Sequence, residues 1–395
     1  MSLKITYTAP NRSHHYPYAK ALHKMGFLHR FVCGFSRLSP RSPAPELGDR
    51  LVRRDLLQTV MLLSGYVGFS PSAVDYLRKL SDRSLDVASY KFAIDSDIFL
   101  FYRTEGIRTL NRLKEERTNV IGVMEEVNSH VKFGTAILQE EYTKLGLKAP
   151  FKREYDYDLR LKTYEQADYI LCPSDFVKDS FLQHGFSENQ LIKVNFGFQN
   201  LVGSPQSQAK ENNTFRVLYV GQIHYRKGLR YALRAFKKLK HPHKEFIIVG
   251  PKTDITGLEN EPIPDHVTFT GILKGDDLIR EYSRASVFIL PSLEEGLALV
   301  QGEALSFGVP LLITTNTGGA DIITDGEEGF VVAPADSSAL AERLQQMADD
   351  PLLLGEMSAK ALQATERLGS WDIAAANLVA NLKQIVENHS DCTLH

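Results

Sequence analysis

Val287-Phe288-Ile289-Leu290 runs directly into Pro291-Ser292-Leu293-Glu294-Glu295-Gly296-Leu297-Ala298-Leu299-Val300-Gln301-Gly302-Glu303-Ala304. A short, wholly apolar run bounded by a turn has the form of a strand buried on both faces, as in a parallel sheet covered by helices. The C-terminal ends of such strands are where open α/β sheets take ligands. Glu295 falls in that turn, and Gly296 lets a ligand approach the backbone closely. The helix predicted to start near Ala298 offers unpaired N–H groups and the positive end of its dipole, a natural seat for a diphosphate. Glu303 lies one to two turns further along it. Two carboxylates flanking such a seat suit vicinal hydroxyls, and a nucleotide sugar carries these on both its ribose and its hexose.

The same alternation of apolar runs and amphipathic stretches extends in both directions. Upstream it gives strands at Phe215–Val220, Glu245–Val249 and Val267–Thr270, with helices at Leu229–Leu239 and Leu278–Ser283. Downstream, Ala298–Phe307 reads as a helix, and Leu311–Thr314 and Gly329–Val332 as strands. Before residue 200, strands are predicted at Leu3–Thr8, His29–Phe35, Asp97–Tyr102, Val120–Met124 and Tyr169–Cys172, with a polar loop Pro10–His15 and a helix from Tyr18. Between the two series lies Leu201–Thr214, rich in Gly, Pro, Ser and Asn, which reads as a linker. The expected organisation is therefore α/β, with two Rossmann-like βα domains facing across a cleft. They span residues 1–200 and 201–370. A helix within 371–395, predicted from Trp371 to Asn388, is expected to return to the first domain and tie the two together.

The length of 395 residues suits two such domains, and 43% hydrophobic with 24% charged residues is ordinary for a globular protein. No run approaches the ~18 apolar residues of a membrane span. Cys33, Cys172 and Cys392 are too few and too scattered for a disulfide framework or metal knot, so a reducing, cytoplasmic setting is expected. A net charge of −2 argues against nucleic acid as partner, but residues 1–60 hold 10 basic and 3 acidic side chains. Arg30, Arg37, Arg41, Arg50, Arg53 and Arg54 lie close to the apolar stretch Leu56–Leu63. Such a face either is simply solvated or rests on anionic membrane at the inner face of the cell membrane, each charge contributing about 1 kcal/mol.

Absences narrow the chemistry. The chain has no G-x-G-x-x-G after a strand, no G-x-x-x-x-G-K-[ST], no G-x-S-x-G and no H-E-x-x-H. What it does have is a second loop after a strand, Gly221-Gln222-Ile223-His224-Tyr225-Arg226-Lys227-Gly228, entering a helix. A lysine there neutralises a departing diphosphate.

Together, Gly221…Lys227-Gly228, Pro291-Ser292…Glu295-Gly296…Glu303-Ala304, Gly308-Val309-Pro310, Gly318-Gly319 and Gly329 resemble the pattern of glycosyltransferase family 4, whose members are retaining enzymes of the GT-B fold. The resemblance covers the second domain and reaches back weakly through Ala167–Ser174, Phe176-Val177, Gly185 and Val194…Gly197. It implies that Glu303 grips the ribose, Glu295 the transferred sugar, Gly296, Leu297, Ala298 and Leu299 the sugar and diphosphate through their amides, and Lys227 the phosphates. The backbone near Gly250 and Ile272 would face the base. Similar enzymes place a first-domain histidine beside the transferred sugar, and His130 is the candidate. The family usually has arginine after the glycine of the phosphate loop. Here Gln222 stands there, so either Arg226 substitutes or the diphosphate is held less tightly. Paired glycines common in the first β–α loop are also missing, which assigns Arg12, His14 and His15 to the acceptor instead.

The implied reaction moves a sugar from a UDP- or GDP-sugar co-substrate to an acceptor hydroxyl. No cofactor and no metal are expected, the acceptor being a cell-surface polysaccharide, another glycan, a lipid-linked intermediate or a small molecule. A sugar-nucleotide 2-epimerase, a sugar-phosphate-accepting synthase and a non-catalytic GT-B protein of a polysaccharide-assembly complex are the alternatives.

Overall fold

In the computed structural model, residues 3–39, 44–147, 156–198, 214–253, 255, 258 and 261–392 are described. The predicted linker lies outside them except for Thr214. Among the cysteines, Cys33 and Cys172 are buried free thiols, and the Cys392 side chain lies outside the described set.

The first domain runs β1 (Ile5–Ala9), α1 (His15–Lys24), β2 (Leu28–Cys33), β3 (Leu51–Arg53), α2 (Leu56–Val67), α3 (Pro71–Ala93), β4 (Ile98–Tyr102), α4 (Ile107–Glu115), β5 (Ile121–Glu125), α5 (Val131–Lys144), α6 (Tyr157–Gln166), β6 (Tyr169–Cys172), α7 (Asp175–Leu182) and β7 (Leu191–Lys193). The second runs β8 (Phe215–Val220), α8 (Leu229–Lys238), β9 (Lys244–Val249), β10 (Val267–Gly271), α9 (Asp276–Arg284), β11 (Val287–Leu290), α10 (Leu299–Ser306), β12 (Leu311–Thr314), β13 (Gly329–Val332), α11 (Ser337–Asp349) and α12 (Pro351–Leu368). The last helix is α13 (Trp371–Cys392).

Each domain holds one wholly parallel sheet, in the orders β3-β2-β1-β4-β5-β6-β7 and β10-β9-β8-β11-β12-β13. Registers such as Tyr7 opposite Phe31 and Leu100, or Val217 opposite Phe246 and Val287, line up apolar side chains across each sheet. β1, β5, β8, β11 and β12 are buried along their whole length, the reason they read as continuous apolar runs. Strand order reverses between β1 and β4 in one sheet and between β8 and β11 in the other, and these are the switch points where ligands bind.

The predicted boundaries need two corrections. Helix α1 begins at His15, not Tyr18, so the polar loop is shorter than the sequence suggests. The three-residue strands β3 and β7 were absent from the expectation, because Leu51-Val52-Arg53 and Leu191-Ile192-Lys193 are too short to show a period. Helix α13 packs against α1 of the first domain. Trp371 meets Tyr18 edge-on at 5.2 Å, Lys24 pairs with Asp372 at 2.5 Å and Lys383 lies over the Phe27 ring.

Candidate functional site

The β8–α8 and β11–α10 loops leave neighbouring strands at the second domain's switch point. In the first, His224 caps a short turn by accepting the Arg226 N–H at 3.1 Å on Nδ1. The turn ends at Gly228, whose φ of +63° is left-handed and whose Cβ, if present, would lie 2.1 Å from the Pro291 carbonyl oxygen. Only glycine fits there, and the close approach draws Arg226 and Lys227 against the β11–α10 loop. That loop is pinned from the other side. The Asn316 amide donates to the Leu293 carbonyl and the Glu295 N–H to the Asn316 carbonyl, both at 2.8 Å.

Glu295 accepts from Lys227 and, at 3.2 Å, from Arg226. Burial by itself raises the Glu295 carboxyl, but the two cations overcome it and hold its pKa down at about 2. The Lys227 ammonium is pushed below its usual value by burial and by Arg226, against the pull of Glu295. The N-cap of α10, Ala298, has no side-chain oxygen, so no side chain takes up the first N–H groups of that helix. Two cations thus sit on the loop that leads into a helix N-terminus, an arrangement suited to a diphosphate.

Gln222 is exposed, and its carbonyl accepts from the Tyr219 hydroxyl at 2.7 Å. Arg226 donates to the Glu294 carbonyl at 2.7 Å and carboxylate at 3.1 Å as well as to Glu295. Gly221, Leu297, Ala298 and Leu299 line the two loops, and Ile272 stands exposed just beyond β10. Glu303, half-buried on α10, accepts the Tyr282 hydroxyl at 2.8 Å, and burial raises its pKa.

The first domain meets this site through the β5–α5 loop. Glu294 accepts from the Ser129 N–H at 3.0 Å and its hydroxyl at 2.8 Å. Gly296 lies so close to the first domain that a Cβ would fall 1.6 Å from the Val127 carbonyl oxygen. The Ser174 hydroxyl donates to the Gly296 carbonyl at 2.7 Å, and Lys193 pairs with Asp321 at 2.9 Å. His130, from the same loop, does not come to this meeting point. It caps α5, accepting the Lys132 N–H, and packs its ring on Tyr164, Phe181, His184 and Phe186 of the first domain's own core. Burial, then His184, lower its pKa to about 3. The loop reaches the second domain through Ser129 and Asn128, one and two residues earlier.

Of the residues expected at the acceptor, Arg12, His14 and His15, the two histidines are not open to solvent. Both histidines are buried around Glu125, with His14 Nε2 at 2.9 Å and His15 Nδ1 at 3.2 Å from its carboxylate. The Tyr7 hydroxyl donates to the same carboxylate at 2.6 Å. Burial lowers His15 to about 4, while the histidines hold Glu125 low against its own desolvation. Arg12 lies over the Tyr16 ring at 3.8 Å. His14, His15 and Glu125 are the described residues close enough together to ligate a metal, their ligand atoms lying within 4.8 Å of one another. Hydrogen bonds among them and Tyr7 already account for that closeness. Sequence reasoning missed Glu294, Tyr282 and Glu125. The one available signal was a pair of adjacent acids directly after an apolar strand, at Glu125-Glu126 as well as near Glu294-Glu295.

Residues 204–366 match the family described as glycosyl transferases group 1. Over these residues the second domain is similar to the group 1 glycosyl transferases. The capsular polysaccharide biosynthesis glycosyltransferase CapM of Staphylococcus aureus is 26% identical over 239 residues, 54% of this chain and 61% of that protein. The chain spans between 40% and 61% of the length of such curated relatives. Sucrose-phosphate synthase from Thermosynechococcus elongatus superposes with a TM-score of 0.71 at 18% identity, over 98% of this chain and 100% of that one. HepE of Anabaena, solved in complex with UDP, gives 0.68 at 14% identity, over 97% and 100%. These likenesses show the GT-B fold across both domains.

Proposed function

We propose that the protein is a retaining glycosyltransferase of family 4 type that moves a sugar from a UDP- or GDP-sugar to an acceptor hydroxyl in polysaccharide or lipid-linked glycan synthesis. The observation that carries this reading is the pairing of Arg226 and Lys227 with Glu295 in the loop that leads into α10. The bond from the anomeric carbon to the β-phosphate oxygen breaks, its electron pair leaving with the diphosphate. A bond from the acceptor oxygen to that carbon forms, and the hydroxyl proton is released. The barrier lies in the charge-separated state between, which Arg226, Lys227 and the helix dipole stabilise on the leaving-group side. No metal ion is part of the proposal, and Arg226 and Lys227 are the cations offered to the diphosphate. Glu303 takes the ribose hydroxyls, and Glu295 the hydroxyls of the transferred sugar. The HepE complex with UDP and the name of CapM support the donor and the pathway respectively. A peripheral membrane contact belongs to the same proposal, since α2 exposes Leu56, Val60, Leu62 and Leu63 next to Arg53 and Arg54.

A thermal-shift screen of UDP, GDP, ADP and dTDP and their sugar derivatives tests the donor. One nucleotide is expected to stabilise the protein, and Glu303→Ala to weaken it by about 1.5–3 kcal/mol, or ~10–100-fold. Glu295→Ala is expected to lower turnover in a transfer assay. If both variants bind and transfer like wild type, the assignment is wrong.

A further inference from the structure

Helix α9, Asp-Asp-Leu-Ile-Arg-Glu-Tyr-Ser-Arg, has a single buried residue, Tyr282. Its ring is clamped between a strand and the end of a helix. It lies parallel to Phe307, at the close of α10, with centroids 5.4 Å apart and planes at 5°, and 6.4 Å from Phe288 of β11. A phenylalanine would fill that slot as well. A hydroxyl taken out of water there is favourable only if it is bonded, and this one donates to Glu303 Oε2 at 2.8 Å.

Glu303 is therefore gripped by one oxygen, and among the described residues no group engages Oε1 through a hydrogen bond. No cation accompanies it. β12 and α12 pack on α10, yet no described charged group of either acts on the Glu303 carboxyl, and the titratable group that faces it is Tyr282 from α9. Burial raises the Glu303 pKa and the Tyr282 hydrogen bond opposes the rise. Burial and the nearby Glu303 push Tyr282 itself well above the usual phenol value, so it stays a neutral donor. A neutral donor on a fixed ring orients the carboxylate without cancelling its charge, unlike the two cations on Glu295. A glutamate has several side-chain torsions, and a ligand that must freeze them loses affinity. The Tyr282 bond restrains them before any ligand arrives.

We propose that Tyr282 is a positioning residue of the nucleotide site, and that through Glu303 it sets the preference of that site for ribose over a sugar lacking hydroxyls. The proposal rests on the reading of Glu303 as the ribose ligand. Vicinal hydroxyls donate to an ionised, oriented carboxylate, and poorly to a protonated or wandering one. A 2′,3′-dideoxyribose offers neither hydroxyl, so nothing Tyr282 does to Glu303 reaches it.

Calorimetric titration of the full chain with UDP, GDP and ADP and their 2′,3′-dideoxy analogues tests this. Tyr282→Phe keeps the ring, and circular dichroism checks its fold. It is expected to weaken the preferred ribonucleotide roughly threefold or more, as for one hydrogen bond, and to leave the dideoxy analogue unchanged. The acid loss of ribonucleotide affinity should also begin at higher pH, because the group that opposes the rise of Glu303 is gone. In a Glu303→Ala background the ribose preference should be absent, and Tyr282→Phe should change nothing more. Equal loss for both analogues, an unmoved pH midpoint, or a further loss in the Glu303→Ala background overturns the proposal. Wild type that binds none of these nucleotides refutes the donor reading and this proposal with it. Wild type that binds ribo and dideoxy forms alike refutes the ribose role of Glu303. A ribose preference that survives Tyr282→Phe refutes this proposal alone.

Discussion

Arg226, Lys227, Glu295 and Glu303 carry most of the electrostatics of the proposed donor site, and neighbours or burial set the two carboxyl groups in opposite directions. Glu295 stays ionised because Lys227 and Arg226 outweigh its burial. Glu303 lacks a cation, so burial raises it. Donor affinity should fall as pH drops through that raised value, since a protonated Glu303 accepts ribose hydroxyls poorly. His130 shows the opposite sign with respect to folding. Its folded pKa of about 3 lies below the unfolded value near 6.5. The unfolded chain therefore binds more protons between these limits, and stability present above pH 6.5 is lost as pH falls towards 3. The slope is on the order of 1 kcal/mol per pH unit. Asparagine keeps the helix cap without titrating. Urea unfolding at pH 7 and 5 should show a smaller acid loss in His130→Asn, and equal losses would refute the assignment.

Among the elements, α2 stands out. Its sequence Leu-Leu-Gln-Thr-Val-Met-Leu-Leu-Ser-Gly-Tyr-Val has no charged residue, yet Leu56, Leu62 and Leu63 are each about half exposed or more. An apolar helix face beside Arg53 and Arg54 fits the interface of an anionic bilayer better than water. Flotation with phosphatidylglycerol vesicles at low salt should carry the protein, and Leu62→Glu with Leu63→Glu should abolish it. Wild type left at the bottom of the gradient removes the membrane reading. The basic count of residues 1–60 hinted at this face in the sequence, but not which apolar residues the core would claim. Leu47, for one, nine residues before α2, is fully buried.

At the scale of the molecule, the two domains touch through a few close approaches. The Gly296–Val127 contact leaves no room for a side chain. Alanine there should hold the domains apart, enlarging the radius of gyration in small-angle scattering. Transfer should drop at least tenfold, while nucleotide binding to the second domain persists. A wild-type scattering curve from Gly296→Ala would refute this. The return of α13 onto α1 makes the first domain discontinuous in sequence.

The sequence by itself determined the two parallel sheets, because strands buried on both faces must be apolar throughout, and it determined the loops that carry Lys227 and Glu295, because glycines and charges at strand ends are local signals. What faces what was decided only by tertiary structure. Whether Arg226 replaces the arginine missing at Gln222 depends on the Gly228–Pro291 approach. Whether His14, His15 and His130 meet solvent, a ligand or a core depends on Glu125 and Tyr164, residues 111 and 34 positions away. Burial and partner choice are properties of chain segments distant in sequence, and no local pattern encodes them.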